Sequence, residues 1–283
     1  MRTYKNSTDT KIIVSGSTLE VFSYSFGLNY GSFEDGYFED IGRFDNTKVG
    51  HNVDQEAIVK ARLRQTQRTA VRLIDSNCYA YRKSATELYP PVMLTLTTKE
   101  NISDLRITNP MLLRFVKRFN YDVLKGDKRA YLKYVAVPEW QERGAVHYHI
   151  ALFNLPYIPQ RRLARIWGEG FVWINRADKI KSLGRYMSKY MTKGFADSRF
   201  VGHKRYMPAV GLFRPTVVLD NQKALSIKNI LPKSKRRKEW TYYSQWQGEV
   251  VHEEYDLGRG AEYNELSDGI KSILTTEQEV VEW

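Results

Sequence analysis

The chain has 283 residues, 42% of them hydrophobic, which is enough for a packed core and excludes wholesale disorder. No run approaches the ~18 consecutive apolar residues of a membrane span, and the opening MRTYKNSTDTK lacks the apolar stretch of a signal peptide. The single cysteine, Cys78, cannot form an internal disulfide, so a soluble, cytoplasmic protein with no membrane partner is expected. The net charge of +12 favours a polyanionic partner such as nucleic acid. That charge is uneven: residues 248–283 hold ten acids against Arg259 and Lys271, a net of −8, leaving +20 for residues 1–247. A solvated, partly disordered acidic tail is the plain expectation; the sharper alternative is an internal competitor for the basic face.

In chain order, residues 1–50 mix Gly, Asp, Asn and Tyr around strand-like runs such as IIVSGSTLEVFSYSF, which fits hairpins or an extended arm. From Val53 to Ile74, apolar Ala57, Ala61, Ala70, Leu73 and Ile74 alternate with Lys60, Arg62, Arg64, Arg68 and Arg72, the pattern of an amphipathic helix with a basic outer face. After Pro90 and Pro91, VMLTLTT (92–98) predicts a strand. A helix follows around Leu112, Leu113, Phe115, Val116 and Phe119. YLKYVAVPEW (131–140) and VHYHIALFN (146–154), joined by a turn at Glu142-Arg143-Gly144, predict an antiparallel hairpin. RRLARIW (161–167) predicts a helix, FVWINRA (171–177) a strand, and 179–194 a helix ending at Gly194. This order predicts an α+β fold, a ferredoxin-like antiparallel sheet of about five strands with helices packed on one face. KSKRRK (233–238) reads as a basic linker before the aromatic WTYYSQW. The expected division is therefore 1–85 as an arm with a basic helix, 86–232 as the compact domain, and 233–283 as linker and acidic tail.

Two constellations carry chemistry. Residues two apart in a strand share a face, so His147 and His149 present adjacent imidazoles while Tyr148 faces away. If the turn closes the hairpin, Glu139 on the neighbouring strand can reach the same ion. Two imidazoles and a carboxylate suit Mn²⁺, Mg²⁺ or catalytic Zn²⁺. On the 179–194 helix, Tyr186 and Tyr190 share one stripe with Lys189 and Lys193. A phenol is almost fully protonated at neutral pH, so it attacks phosphorus only where nearby cations stabilise the phenolate. Each constellation has an ordinary alternative: histidines that merely pack on a strand, and a helix whose tyrosines pack while its lysines snorkel. A zinc hydrolase with incidental tyrosines is a further possibility. Jointly they describe a metal site beside paired tyrosine nucleophiles in a net-basic domain.

The set VMLTLTT, Glu139-x7-His147-Tyr148-His149 and YMSKYMTK resembles the three motifs of HUH-superfamily rolling-circle replication initiators of small plasmids and single-stranded DNA phages, over roughly residues 90–195. The resemblance implies a five-stranded antiparallel sheet with His147 and His149 on a central strand, Mg²⁺ or Mn²⁺ as cofactor, and Glu139 as the third ligand. It implies nicking and joining of single-stranded or hairpin origin DNA through a 5′-phosphotyrosyl link. The tyrosine pair resembles the two-tyrosine class, with Tyr190 and Lys193 as the principal nucleophile and its partner and Tyr186 with Lys189 as the second acceptor. Arg199, Lys204 and Arg205 are candidate DNA contacts. No GxxxxGK[ST] occurs in the sequence, so no nucleotide cofactor is expected and a host helicase is. The alternatives are a mobilisation relaxase or single-strand transposase of the same superfamily, or a non-catalytic DNA-binding regulator.

Overall fold

A computed structural model describes residues 6–33, 36–39, 55–128, 130–192, 197–259 and 261–275. In chain order the elements are β1 (Asn6–Ser15), β2 (Thr18–Phe33), β3 (Gly36–Glu39), α1 (Gln55–Asn77), β4 (Val92–Thr97), α2 (Leu105–Asp122), β5 (Tyr134–Trp140), β6 (Val146–Leu152), α3 (Gln160–Trp167), β7 (Val172–Arg176), α4 (Leu183–Thr192), β8 (Met207–Pro208), β9 (Thr216–Val218), α5 (Asn221–Ile230), β10 (Arg236–Ser244), β11 (Gly248–Asp256) and α6 (Ala261–Thr275). None of the described helices is long and apolar enough to cross a membrane. They form two compact units, residues 54–214 and residues 1–53 with 215–283. This differs from the expected boundaries at 85 and 232, because the basic helix and the aromatic segment are both recruited into folded cores.

The 54–214 unit is built on a five-stranded antiparallel sheet in the order β7-β4-β6-β5-β8. Numbering the strands of its β-α-β-β-α-β core from β4 gives the ferredoxin-like order 4-1-3-2, with β8 added at the edge. β4 alternates buried and half-buried residues, the period-2 signature that the VMLTLT sequence carries. Val92, Leu94, Leu96, Tyr148, Ile150 and Leu152 face one way and pack on Leu112, Phe115 and Phe119 of α2 and on Leu163, Ile166 and Trp167 of α3. Trp167 meets Phe115 edge-on, with ring centroids 5.8 Å apart. The opposite face carries Val135, Val137, Ala151 and Phe153, which pack on Ala70, Leu73 and Ile74 of α1 and on Leu183, Met187 and Met191 of α4. Helices thus cover both faces, not the single face expected. The reason is that α1 and α4 each have their own apolar stripe, and the inner residues of β5 and β6 are apolar on both sides.

The other unit is a six-stranded sheet, β10-β11-β2-β1-β9 with β3 on β2. The N-terminal hairpin is β1 with β2, and it pairs on one side with β11 and on the other with β9. Ile12, Leu19, Val21, Val218, Ala224, Ile227 and Ile270 form its core. The run expected to be a basic linker enters a short helical turn and then β10, an edge strand exposed along almost its whole length. Edge strands tolerate charge where central strands do not. The acidic segment is likewise folded up to residue 275 as β11 and α6; residues 276–283 lie outside the described part. Glu253 on β11 is buried and ion-paired with Arg236 at 2.9 Å and Lys228 at 3.2 Å. His252 is also buried, stacked on Phe22 with ring centroids 3.9 Å apart.

Candidate catalytic site

β6 is the middle strand of the five, and His147 and His149 project from the face that α1 and α4 cover only in part. Cross-strand register lines up two rows on that face. One row runs Glu139, His147, Thr97, and the other Val137, His149, Thr95, Trp173. The imidazole centroids are 5.9 Å apart. His149 Nε2 lies 2.7 Å from Glu139 Oε2, and each histidine also meets a threonine hydroxyl of β4, His149 Nδ1 with Thr95 and His147 Nε2 with Thr97, both at 3.4 Å. In front of them is a cleft of about 680 Å³, lined by Glu139, Trp140, Glu142, Arg143, His147 and His149. Arg143 is braced by donating from Nη2 to Thr98 O at 2.9 Å. Phe171 and Trp173 of the β7 segment are 58% and 52% exposed and lie roughly parallel, 6.4 Å apart.

α4 brings the tyrosines. Met187 and Met191 bury one side of the helix, which turns Tyr186 and Tyr190 toward the histidine edge of the same core. The Tyr190 ring lies flat on His149, with centroids 3.6 Å apart and planes 12° apart. Its hydroxyl donates to that of Tyr186 at 3.3 Å, and the two rings meet edge-to-face at 71°. The Lys189 ammonium stands 5.2 Å from the Tyr186 ring centroid, a cation–π contact. Lys193 lies outside the described residues. The start of the helix is fastened by α1. Asp75 is buried and its carboxylate accepts from the Ser182 hydroxyl at 2.9 Å and from the Gly184 N–H at 2.8 Å. Gly184 is obligatory at this crossing, since a Cβ there would lie 2.3 Å from Val71 O.

Burial pulls the pKa of His147 down to about 4, with the neighbouring His149 adding to the effect. At neutral pH its imidazole is therefore uncharged and keeps a free lone pair. Burial pushes the Tyr190 phenol well above its usual range, reinforced by the Tyr186 hydroxyl and the charge of Glu139. Positive charge near Glu139 would oppose that rise.

The donor set of two imidazoles and one carboxylate is of the right chemical kind for a divalent cation. As the side chains stand, Glu139 bonds directly to His149, and among the described residues no three His, Cys, Asp or Glu side chains converge on one point. Ligand atoms sharing an ion at ~2.1 Å lie about 3 Å or more apart. The Glu139 carboxylate must therefore swing off the imidazole to share an ion with it, and the open cleft gives it room. The residues fit the ion by identity and register, with this one rearrangement.

The expected DNA contacts sit on the segment after α4. Arg199 pairs with Asp197 and lies over the Trp140 ring at 4.3 Å. Arg205 lies over Phe200 at 4.5 Å, and Lys204 is exposed. Trp140 and Phe200 meet edge-on at 4.7 Å, so this basic segment is tied to the rim of the cleft. Sequence reasoning passed over Thr95, Thr97, Arg143 and Asp75. The threonines are visible as the outward-facing positions of VMLTLTT, whereas nothing local marks Asp75 as a cap for a helix 107 residues away.

No curated protein and no solved structure shows a significant match to this chain. Residues 91–195 match the family of the replication-associated protein ORF2. These residues include the histidine strand, its carboxylate neighbour and the whole of the tyrosine helix. Through them the chain belongs to a family of rolling-circle replication initiators of the HUH superfamily, with a replication-associated role and DNA as its partner.

Proposed function

We propose that the chain initiates rolling-circle replication by cutting one strand of its origin, single-stranded or extruded as a hairpin, and later resealing it through a phosphotyrosyl intermediate. The observation that carries this reading is the Tyr190 ring lying on His149, beside Glu139 and at the mouth of the open cleft. In the cutting step the Tyr190 oxygen bonds to phosphorus, the bond from phosphorus to the 3′ oxygen breaks, and the phenolic proton is passed on so that a 3′-OH leaves. The phosphodiester energy stays in the new 5′ link, and a second strand end can later displace the tyrosine. Mg²⁺ or Mn²⁺ held by His147, His149 and Glu139 would polarise the scissile phosphate and lower the cost of its developing charge. Tyr186, hydrogen-bonded to Tyr190, is the second acceptor of a two-tyrosine mechanism. Lys189 balances the phosphotyrosine charge, and Lys193 is assigned the same part beside Tyr190. Phe171 and Trp173 offer exposed rings on which unpaired bases can stack, at ~1–3 kcal/mol each. Arg199, Lys204 and Arg205 hold the backbone at the rim.

The test uses a labelled single strand spanning the replicon's origin, incubated with Mn²⁺ with and without chelator and run on a denaturing gel. A metal-dependent covalent adduct is expected. Tyr190→Phe should remove most of it, and adding Tyr186→Phe the remainder; an adduct surviving in the double variant overturns the assignment. His147→Ala with His149→Ala should abolish cleavage while leaving salt-sensitive DNA binding.

A further inference from the structure

A second charged surface lies on the side of the 54–214 sheet away from the histidines. α2 and α3 pack side by side there, and their outer surfaces enclose a cleft of about 630 Å³ whose polar lining is Arg118, Tyr121, Asp122, Lys125, Arg162 and Arg165. Four cations thus face one carboxylate. Part of this charge has a structural use. Arg118 Nη2 donates to Trp167 O at 2.6 Å and Arg162 Nη2 to Asp122 O at 3.2 Å, so each helix caps the C-terminal end of the other. That use does not exhaust it. Arg118 Nε is buried with no hydrogen-bond partner, an N–H left over after the caps are made. Neither Lys125 nor Arg165 pairs with a carboxylate among the described residues. Arg114 and Lys117 continue the patch along exposed turns of α2.

We infer that this helical face binds the phosphate backbone of double-stranded DNA, separately from the strand engaged at the histidines. The inference rests on the reading of the chain as a DNA-handling protein and adds a second contact surface. Clustered cations with one intervening acid recruit a polyanion at a cost only in released counterions. Duplex is favoured over single strand by where the rings are. Phe171 and Trp173 are exposed on the histidine face, whereas Tyr121 is the only aromatic ring among the described residues lining this cleft. The back face offers charge with little stacking, which suits phosphates whose bases are already paired.

The full chain carrying Lys125→Glu and Arg165→Glu tests this by fluorescence anisotropy. The probes are a 20-base-pair duplex and a 20-nucleotide single strand of unrelated sequence, titrated between about 50 and 200 mM salt. Duplex affinity should fall about tenfold or more. The slope of log affinity against log salt should become shallower by about 1.8, two phosphates at ~0.9 each. Single-strand binding and adduct formation on a short oligonucleotide should change less than about twofold, and Lys125→Arg with Arg165→Lys should behave as wild type. Unchanged duplex affinity and slope would overturn the inference. So would equal losses on both probes, or a loss confined to pyrophosphate or ATP, which would mark a small-anion site instead. Arg114→Glu with Lys117→Glu gives a second reading from the same face should the first variant fold poorly. Because none of the binding arms requires cleavage, absence of the covalent adduct would count against the catalytic assignment alone.

Discussion

Removing the Asp75 carboxylate should loosen the helix that carries both tyrosines. Asp75 sits on α1, is 6% exposed, and is the acceptor for the Ser182 hydroxyl and the Gly184 N–H at the start of α4. Hydrogen bonds to a charged group are worth ~1.5–3 kcal/mol, and an orphaned buried donor costs ~1–3 kcal/mol. The Ser182 hydroxyl can rotate toward other partners, but the Gly184 N–H cannot. Asp75→Ala should therefore cost about 2–4 kcal/mol. Asp75→Asn, which keeps an oxygen for Gly184, should cost about 1 kcal/mol. Urea unfolding followed by tryptophan fluorescence measures both, provided the slope against denaturant is unchanged. Below the transition, Asp75→Ala should lose adduct formation more than it loses single-strand binding, since the cap orients Tyr190 and not the phosphate contacts. A cost under about 0.5 kcal/mol for Asp75→Ala would refute the capping argument.

Gly170→Ala would place a Cβ 2.3 Å from Thr97 O, at φ +152°. It should displace the end of β4 beside His147, lowering both stability and adduct yield, measured on the same samples. Tyr148→Phe removes a buried hydroxyl bonded to Thr108 at 2.8 Å and Asn109 at 2.7 Å; a loss of about 1–3 kcal/mol is expected, with Mn²⁺ affinity by calorimetry unchanged because Tyr148 faces away from the histidines. Phe115→Ala should cost about 3–5 kcal/mol through the cavity left against Trp167. Glu253 is raised by burial but lowered overall by hydrogen bonds from Arg236, Tyr255 and Lys228. Its folded pKa thus lies below the unfolded value near ~4.3, so its contribution is present above that pH and lost as pH falls through the folded value. Glu253→Gln should flatten the acid limb of the stability profile, followed by circular dichroism.

Much of the 54–214 unit is legible in the sequence because its information is local. The alternation of VMLTLTT, the turn at Gly144 and the two-residue spacing of His147 and His149 each follow from strand geometry, and the resulting chain order already implies the 4-1-3-2 sheet. What escapes depends on contacts remote in sequence. The segment from Lys233 to Lys238 reads as a linker because five of its six residues are basic, yet an edge strand needs only one neighbour and permits such a composition. Glu253 counts toward a solvated tail until Arg236 and Lys228 arrive to neutralise it. The second apolar stripe, on α1, is legible, but amphipathicity alone does not say which sheet face it covers.

The interrupted build of the second unit has a bearing on how the protein is made. Glu249 N donates to Ser25 Oγ across 224 residues of sequence, so the N-terminal hairpin waits while that whole stretch is translated before β11 arrives. During that interval the catalytic unit, whose residues are contiguous, can fold on the ribosome while the unfinished sheet still exposes an open edge. Long closure is slow more than it is costly, because entropy grows only with the logarithm of loop length. Trimming β1 or β11 would strike this same late-assembling sheet and leave the nicking core the part best able to survive as a fragment.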